Sequence, residues 1–493
     1  MFTSPYDGLS DPEILDVLVV GAGISGINCA FRLQTELPGI EFAVLEGRSN
    51  IGGTWDLFKY PGVRADTDLH SFGFPWYPWP FDCPIADGSL LTSYLSSAIS
   101  KYELGKHIRL RHRVVSADWS SESQRWEIVV NAEGGQLQTI KARFMVVAAG
   151  YYDYGLPLKP DIPGLNEFQG EVINPQMWPD DFEYEGKKIA VIGSGATAIT
   201  LFPALAKKAA EITMVQRSPS YIFSGKHSTY SPPWVRKYLP RAIRLKYERI
   251  YFIVIPFLLV LFCQYFPRLA REIIRRDVSE YLPPSVPQDP HFTPRYNPWE
   301  QRMCFSPGGE FHRTFYRPNA KIVTGRIRTI GENRIHMEDG QSIEVEVIVT
   351  ATGLNMKLGG DIAIRVDGES TSLKQRLLWN GAMFEGIPNM AYTIGYPRHA
   401  WTLGADNTAF VVVRLLKYMK TEGVTSATPR RPRDSHEHKP EPMWPFSSTY
   451  VVRSRNDMPV YGRTGPWRPR DKSPLDWIHA RWGNITRGLH FSV

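Results

Sequence analysis

The sequence predicts an α/β fold in which one βαβ-based unit occurs twice, with a helical insertion in the second copy. Three observations carry the prediction. An apolar, β-branched run at 15–20 leads directly into Gly21-Ala22-Gly23-Ile24-Ser25-Gly26 and a helical pattern through Ile27, Ala30, Phe31 and Leu33. A second apolar run at 188–192 leads in the same way into Gly193-Ser194-Gly195-Ala196-Thr197-Ala198. Each copy then passes through alternating strands to an apolar strand with a small-x-Gly end, Ala148-Ala149-Gly150 in the first and Ala351-Thr352-Gly353 in the second.

The elements follow in order. After the first glycine motif, the apolar strand 42–45 ends in Glu46. Ile108, Leu110 and Val114, then Trp126, Ile128 and Val130, alternate as in a β-meander, and 144–147 closes the unit. After the second motif, 212–215 ends in Gln216-Arg217, and Ile335 and Met337 precede the strand at 345–349. Residues 227–289, rich in Arg, Pro and aromatics without alternation, read as a helical insertion. Residues 428–445, Pro- and charge-rich, read as a linker, with His436 and His438 in a solvated loop rather than a metal site. The chain therefore divides into 1–160 with 385–493, 161–226 with 320–384, and an insertion at 227–319.

Each glycine motif follows a strand and opens a helix, the context of a Rossmann-like dinucleotide-binding domain. Gly21, Gly23 and Gly26, and Gly193 and Gly195 with Ser194, Ala196, Thr197 and Ala198, let the backbone approach a pyrophosphate at a helix N-terminus. The two copies differ where a ribose would sit. Glu46, 20 residues after Gly26, offers a carboxylate to ribose hydroxyls and favours an unphosphorylated adenosine, as in FAD or NAD. Gln216-Arg217 offers no acid, and the Arg217 fork suits a 2′-phosphate, as in NADPH. The four cysteines, 29, 83, 263 and 304, have no redox or metal spacing. That rules out disulfide reduction and predicts a reduced, cytoplasmic protein without a metal site. The stretch 1–11 is polar and acidic, unlike a signal peptide.

Longer strings resemble one family. Gly52-Gly53-Thr54-Trp55 and Tyr60-Pro61-Gly62-Val63-Arg64-Ala65-Asp66 resemble the flavin-domain signature of type I Baeyer–Villiger monooxygenases, within the wider flavin-containing monooxygenases. The subgroup most resembled includes the mycobacterial ethionamide-activating monooxygenase. The likeness continues through the string at 291–299, Gln301-Arg302-Met303-Cys304, Gly386-Ile387-Pro388-Asn389, Trp401-Thr402-Leu403 and Gly465-Pro466-Trp467. It implies that Ser25, Glu46, Thr54, Trp55, Asp56, Leu57, Asp66 and Val114 line FAD. It also implies that Arg64, Ala65 and Asp66, the motif from Gly193 to Ile199, and Gln216-Arg217 contact NADPH. Arg302 matches the active-site arginine, with Asp66 to hold it. A fixed guanidinium there would stabilise a C4a-peroxyflavin anion and the oxyanion formed on a ketone. In the family's F-x-G-x-x-x-H-x-x-x-W-P linker, Phe168, Gly170, Trp178 and Pro179 match, but Asn174 stands where the family has His. Asn hydrogen-bonds and does not titrate near neutrality.

The expectation is an FAD-dependent, NADPH-consuming monooxygenase that inserts oxygen beside a small apolar ketone to give an ester or lactone. S- or N-oxygenation is the alternative, and a nucleotide-binding protein without turnover is a third reading that rests on Asn174. The net charge of +7, without RNA-binding or zinc-finger patterns, argues against nucleic acid. Residues 250–263 are apolar and flanked by Arg, too short for the about 20 residues of a span. They suit either a buried helix or, over 236–276, a basic amphipathic segment resting on a membrane surface.

Overall fold

The computed structural model describes residues 13–224, 233–431 and 440–493. The stretch 1–11 and His436 and His438 lie outside them. The first unit begins with β1 (Glu13–Val20), α1 (Ile24–Glu36) and β2 (Phe42–Leu45), followed by β3 (Ile108–Arg109), β4 (Arg113–Ser120), β5 (Arg125–Asn131) and β6 (Leu137–Val147). The second holds β7 (Glu171–Ile173), β8 (Lys188–Ile192), α2 (Ala196–Leu205) and β9 (Glu211–Gln216). The insertion supplies α3 (Arg241–Tyr265) and α4 (Pro267–Tyr281). Then come β10 (Ala320–Thr324), β11 (Val347–Thr350), β12 (Ala363–Val366), β13 (Met390–Tyr392) and α5 (Trp401–Glu422).

In the first sheet β6, β1, β2 and β3 run parallel, and β13 pairs in parallel with the last residues of β6. The second sheet is parallel throughout, in the order β10-β9-β8-β11-β7. Both are buried on two faces, which explains their continuous Val/Ile runs. In each unit one face packs on the fingerprint helix. Val17, Val19 and Val44 pack with Ala30 and Leu33 of α1, and Val191 and Met214 pack with Ile199 and Phe202 of α2. The opposite face packs on a meander, through Trp119 and Trp126 in the first unit and Ile335 and Met337 in the second. Each fully buried aliphatic side chain contributes about 1.5–3 kcal/mol.

One boundary differs from the sequence reading. Residues 363–384, expected in the second unit, join the first sheet: β12 pairs in parallel with β4, and Leu378–Trp379 and Met383–Phe384 attach through β13. Without β12 that edge of β4 would present unpaired backbone groups. Parts of the expected linker are strand and core. Ser426–Pro429 pairs with Leu489–Ser492, and Trp444 is buried in the first core.

Helices α3 and α4 meet at 118°. Pro267 begins α4, and a residue before proline is pushed out of helical geometry, as Phe266 is at φ −125°, ψ 56°. The buried-helix reading of 250–263 holds for one face only: Phe252, Val260 and Cys263 are buried, whereas Ile250 is 62% and Leu258 51% exposed. Arg249 fastens α3 to the first unit, donating to the carbonyls of His70, Ser71 and Gly73 at 2.9, 3.3 and 2.8 Å. No single helix among the described residues is long and apolar enough to cross a membrane.

Candidate active site

A cavity of about 1090 Å³ lies at the carboxyl ends of both parallel sheets, lined from both fingerprints. Ligands of open α/β sheets bind at that edge. The two motifs build it alike. Gly21 (φ +101°) and Gly193 (φ +142°) adopt backbone that side chains avoid. A Cβ on either would meet the carbonyl oxygen of Ala148 at 2.8 Å or of Ala351 at 2.1 Å, which accounts for glycine at both positions. Neither α1 nor α2 has a side-chain cap, so their first N–H groups remain available to phosphate oxygens.

Beyond the glycines the copies diverge. Glu46 is buried, and its two oxygens accept from Ala22 N at 2.8 Å and Arg48 N at 3.0 Å. Burial nevertheless raises its pKa, outweighing these donors. Arg217 is exposed and donates to Thr449 Oγ1 at 2.9 Å. Arg326 and Arg453 also line the cavity.

Arg302 and Asp66, 236 residues apart, meet at 2.8 Å. Enclosed by protein, the Arg302 side chain is still 42% accessible because it faces the cavity. The Asp66 carboxylate raises its pKa, so it stays charged. Tyr151, Tyr152 and Tyr450 stand close enough to act on that charge. Burial lifts all three phenols, Tyr450 to about 12, so they are neutral hydrogen-bonding walls at pH 7. The Tyr151 and Tyr152 hydroxyls bond each other at 2.8 Å. Arg64 also lines the cavity. It pairs with Glu310, and its buried Nε and Nη2 have no partner among the described residues.

A family model described as flavin-binding monooxygenase-like matches residues 15–236. The chain is 39% identical over 482 residues to the FAD-containing monooxygenase EthA of Mycolicibacterium smegmatis, covering 97% of each chain. It is 38% identical to the probable FAD-binding monooxygenase AlmA of Acinetobacter baylyi, covering 97% of this chain and 96% of that one. The chain belongs to the flavin-binding monooxygenase family. Its fold is that of an NADP-bound steroid monooxygenase (TM-score 0.72, 22% identity, 97% and 99% of the two chains). A cyclohexanone-bound cyclohexanone monooxygenase shares it as well (TM-score 0.73, 20% identity, 98% and 100%).

In this flavin monooxygenase most of the expected site residues face the cavity. Gly21, Gly23, Ser25, Glu46, Thr54, Trp55, Arg64, Ala65, Asp66 and Val114 line it, as do Gly193 to Thr197, Arg217 and Arg302. Six others do not. Gln216 is buried, with its amide spent on His291 O (2.8 Å) and Thr324 Oγ1 (2.9 Å). Asp56 pairs with Arg48 at 2.8 Å, and Leu57 ends the same short helix turned from the cavity. Ala198 and Ile199 pack into the second core, and Gly26 sits beneath the Gly21 carbonyl, which a Cβ would approach to 1.8 Å. Asn174 stands beside the main cavity and caps a short 3₁₀ turn, accepting from Gln176 N at 3.0 Å and donating to Leu158 O at 2.9 Å.

Of the aromatic wall, the sequence points to the segment around Pro397 to Leu403, which does line the cavity, but not to the tyrosines at 151–154 or to Trp444 and Tyr450. Tyr154 bonds Thr54 Oγ1 at 2.8 Å, Trp401 donates to Ser25 Oγ at 2.9 Å, and Tyr151 packs against Trp401 and Trp444. A Trp in the family string at 401–403 was the one available signal. Residues 444–453 carried none.

Proposed function

We propose that the enzyme is an FAD- and NADPH-dependent monooxygenase that inserts one oxygen atom beside the carbonyl of a small apolar ketone. The observation that carries this reading is the Arg302–Asp66 pair, 2.8 Å apart and facing a cavity shared by both fingerprints. Flavin, reduced by NADPH, supplies activated oxygen when bound. The residues fit the two nucleotides: uncapped helix N-termini for the pyrophosphates, Glu46 for a ribose, and Arg217 for a 2′-phosphate.

Arg302 spends Nη2 on Asp66, and its other donors remain for oxygen. A cation held in place beforehand stabilises negative charge on the reacting oxygens without reorganising. Asp66 orients the guanidinium. The neutral tyrosines and Trp401 exclude water and offer no competing anion. His399, also in the cavity wall, is pushed down to about 4 by burial and then by Arg398, so it is uncharged at neutral pH. The four cysteines are free, which suits a reducing cytoplasm.

A product-mass screen over ketones, sulfides and amines with NADPH and air tests the reading. Esters or lactones from ketones are expected, and oxygenation confined to sulfur or nitrogen would overturn it. Arg302→Ala should keep flavin bound and reducible by NADPH under nitrogen, yet lose ketone oxygenation about 100-fold or more. Lactone formation at the wild-type rate in that variant would remove Arg302 from this role.

A further inference from the structure

We propose that the outer face of α3, with the corner it makes with α4, docks the enzyme on an anionic lipid bilayer. The helix is inverted for a soluble protein. Its inner face carries Glu248 and Arg249 alongside Phe252, Val260 and Cys263. Its outer face is an apolar stripe at helical spacing, Ile243, Ile250, Val254 and Leu258, all exposed. The corner extends it with Phe266, 59% exposed, and Leu269. Trp234, also exposed, packs on Tyr247 of α3 with ring centroids 6.3 Å apart. Amphipathic rings of this kind favour the headgroup level of a membrane.

The charge around this face decides the occupant. Between Lys237 and Tyr281 there are nine Lys and Arg against four Asp and Glu, a surplus of five in a chain whose net charge is +7. The cations sit at the ends of the apolar stretch, Lys237, Arg241 and Lys246 before it and Arg268, Arg275 and Arg276 after it. An apolar stripe with basic ends complements an anionic surface. A second copy using the same face would bring two basic surpluses together. The stripe is too short to span, so the helix would lie in the interface. Phe257 packs on His399 with ring centroids 5.5 Å apart, and His399 lines the catalytic cavity. Docking would therefore hold the cavity about one helix diameter, ~10 Å, from lipid.

Sedimentation of the flavin-loaded enzyme with vesicles tests this, using pure phosphatidylcholine against phosphatidylcholine mixed with phosphatidylglycerol. Binding to the mixed vesicles should be about tenfold or more the stronger at low salt. The double variant Ile250→Ser/Leu258→Ser should bind neither. Lys246→Gln/Arg268→Gln should lose about tenfold or more on the mixed vesicles only. These side chains are exposed, so melting temperature, flavin content and NADPH oxidation in detergent-free buffer should match wild type in both variants. Failure to bind the mixed vesicles, equal binding to both compositions, or undiminished binding by the serine variant would overturn the proposal. So would concentration-dependent self-association that the serine variant abolishes, because the occupant would then be a second copy.

Discussion

At the first fingerprint, the acid that ends the second strand is buried, and both its oxygens already accept backbone N–H groups. At the second, the base in the corresponding place is exposed and borrows a single hydroxyl, Thr449, from 232 residues away. The frames beneath are alike, down to the collision that a Cβ on Gly21 or Gly193 would have with an alanine carbonyl. The difference lies in how each side chain is anchored, by adjacent backbone at the first fingerprint and by a distant hydroxyl at the second. A site whose polar partners are fixed in advance costs little to order on binding and holds its ligand long. A site completed from a distant segment suits a nucleotide that comes and goes with each turnover.

Replacing the two glycines tests that division hardest. Gly21→Val should give a colourless protein with a melting temperature several degrees lower, because the strained φ and the Ala148 contact strike the flavin frame and a buried core together. Gly193→Val should remain yellow while its kcat/KM for NADPH falls about a hundredfold or more, equivalent to about 3 kcal/mol. Loss of flavin from the second variant would break the assignment of one nucleotide to each copy. At the next level, Arg217→Gln should raise KM for NADPH about tenfold to a hundredfold and leave NADH use and melting temperature unchanged. Thr449→Val keeps the arginine and removes its anchor. It should raise KM for NADPH only about two- to tenfold.

What could be read from the chain itself divides along the same line. The fingerprints, Glu46 and Arg217 are legible because strand, turn and helix are contiguous and the spacing carries both residues to the cavity edge. Gln216 was misread for a local reason. Strand side chains alternate faces, and the one before Arg217 turns inward to His291 and Thr324. The Arg302–Asp66 pair leaves no local signal and was reached only through resemblance. Trp444 and Tyr450 lie in or beside a Pro-rich stretch whose sequence suggests a linker. Tertiary packing alone brings them to the cavity. The polarity of α3 stays open between two readings in the sequence, because periodicity marks an apolar stripe without saying which side faces the protein.

The smallest expected effect concerns how the first fingerprint holds its acid when the protein is freed of flavin. Burial raises the Glu46 pKa above the ordinary glutamate value, so the folded, flavin-free protein binds that proton more tightly than the unfolded chain. The stability this contributes is fully present below the unfolded pKa and is lost as pH rises through the folded one. Glu46→Gln does not titrate. Its amide can accept from Ala22 N or Arg48 N but not both, which costs about 1–3 kcal/mol at every pH. The denaturant midpoint of the variant should therefore trail that of wild type most at acid pH, and the gap should narrow as pH rises from the ordinary glutamate value, then level off. A gap that widens instead would mean that the flavin-free site already favours the carboxylate. On the proposed assignment, hydroxyl donors from the ribose of a bound flavin would favour the anion. The narrowing should then shrink in the flavin-loaded protein, and its size relative to the flavin-free protein measures how far adjacent backbone alone anchors the acid at the first fingerprint.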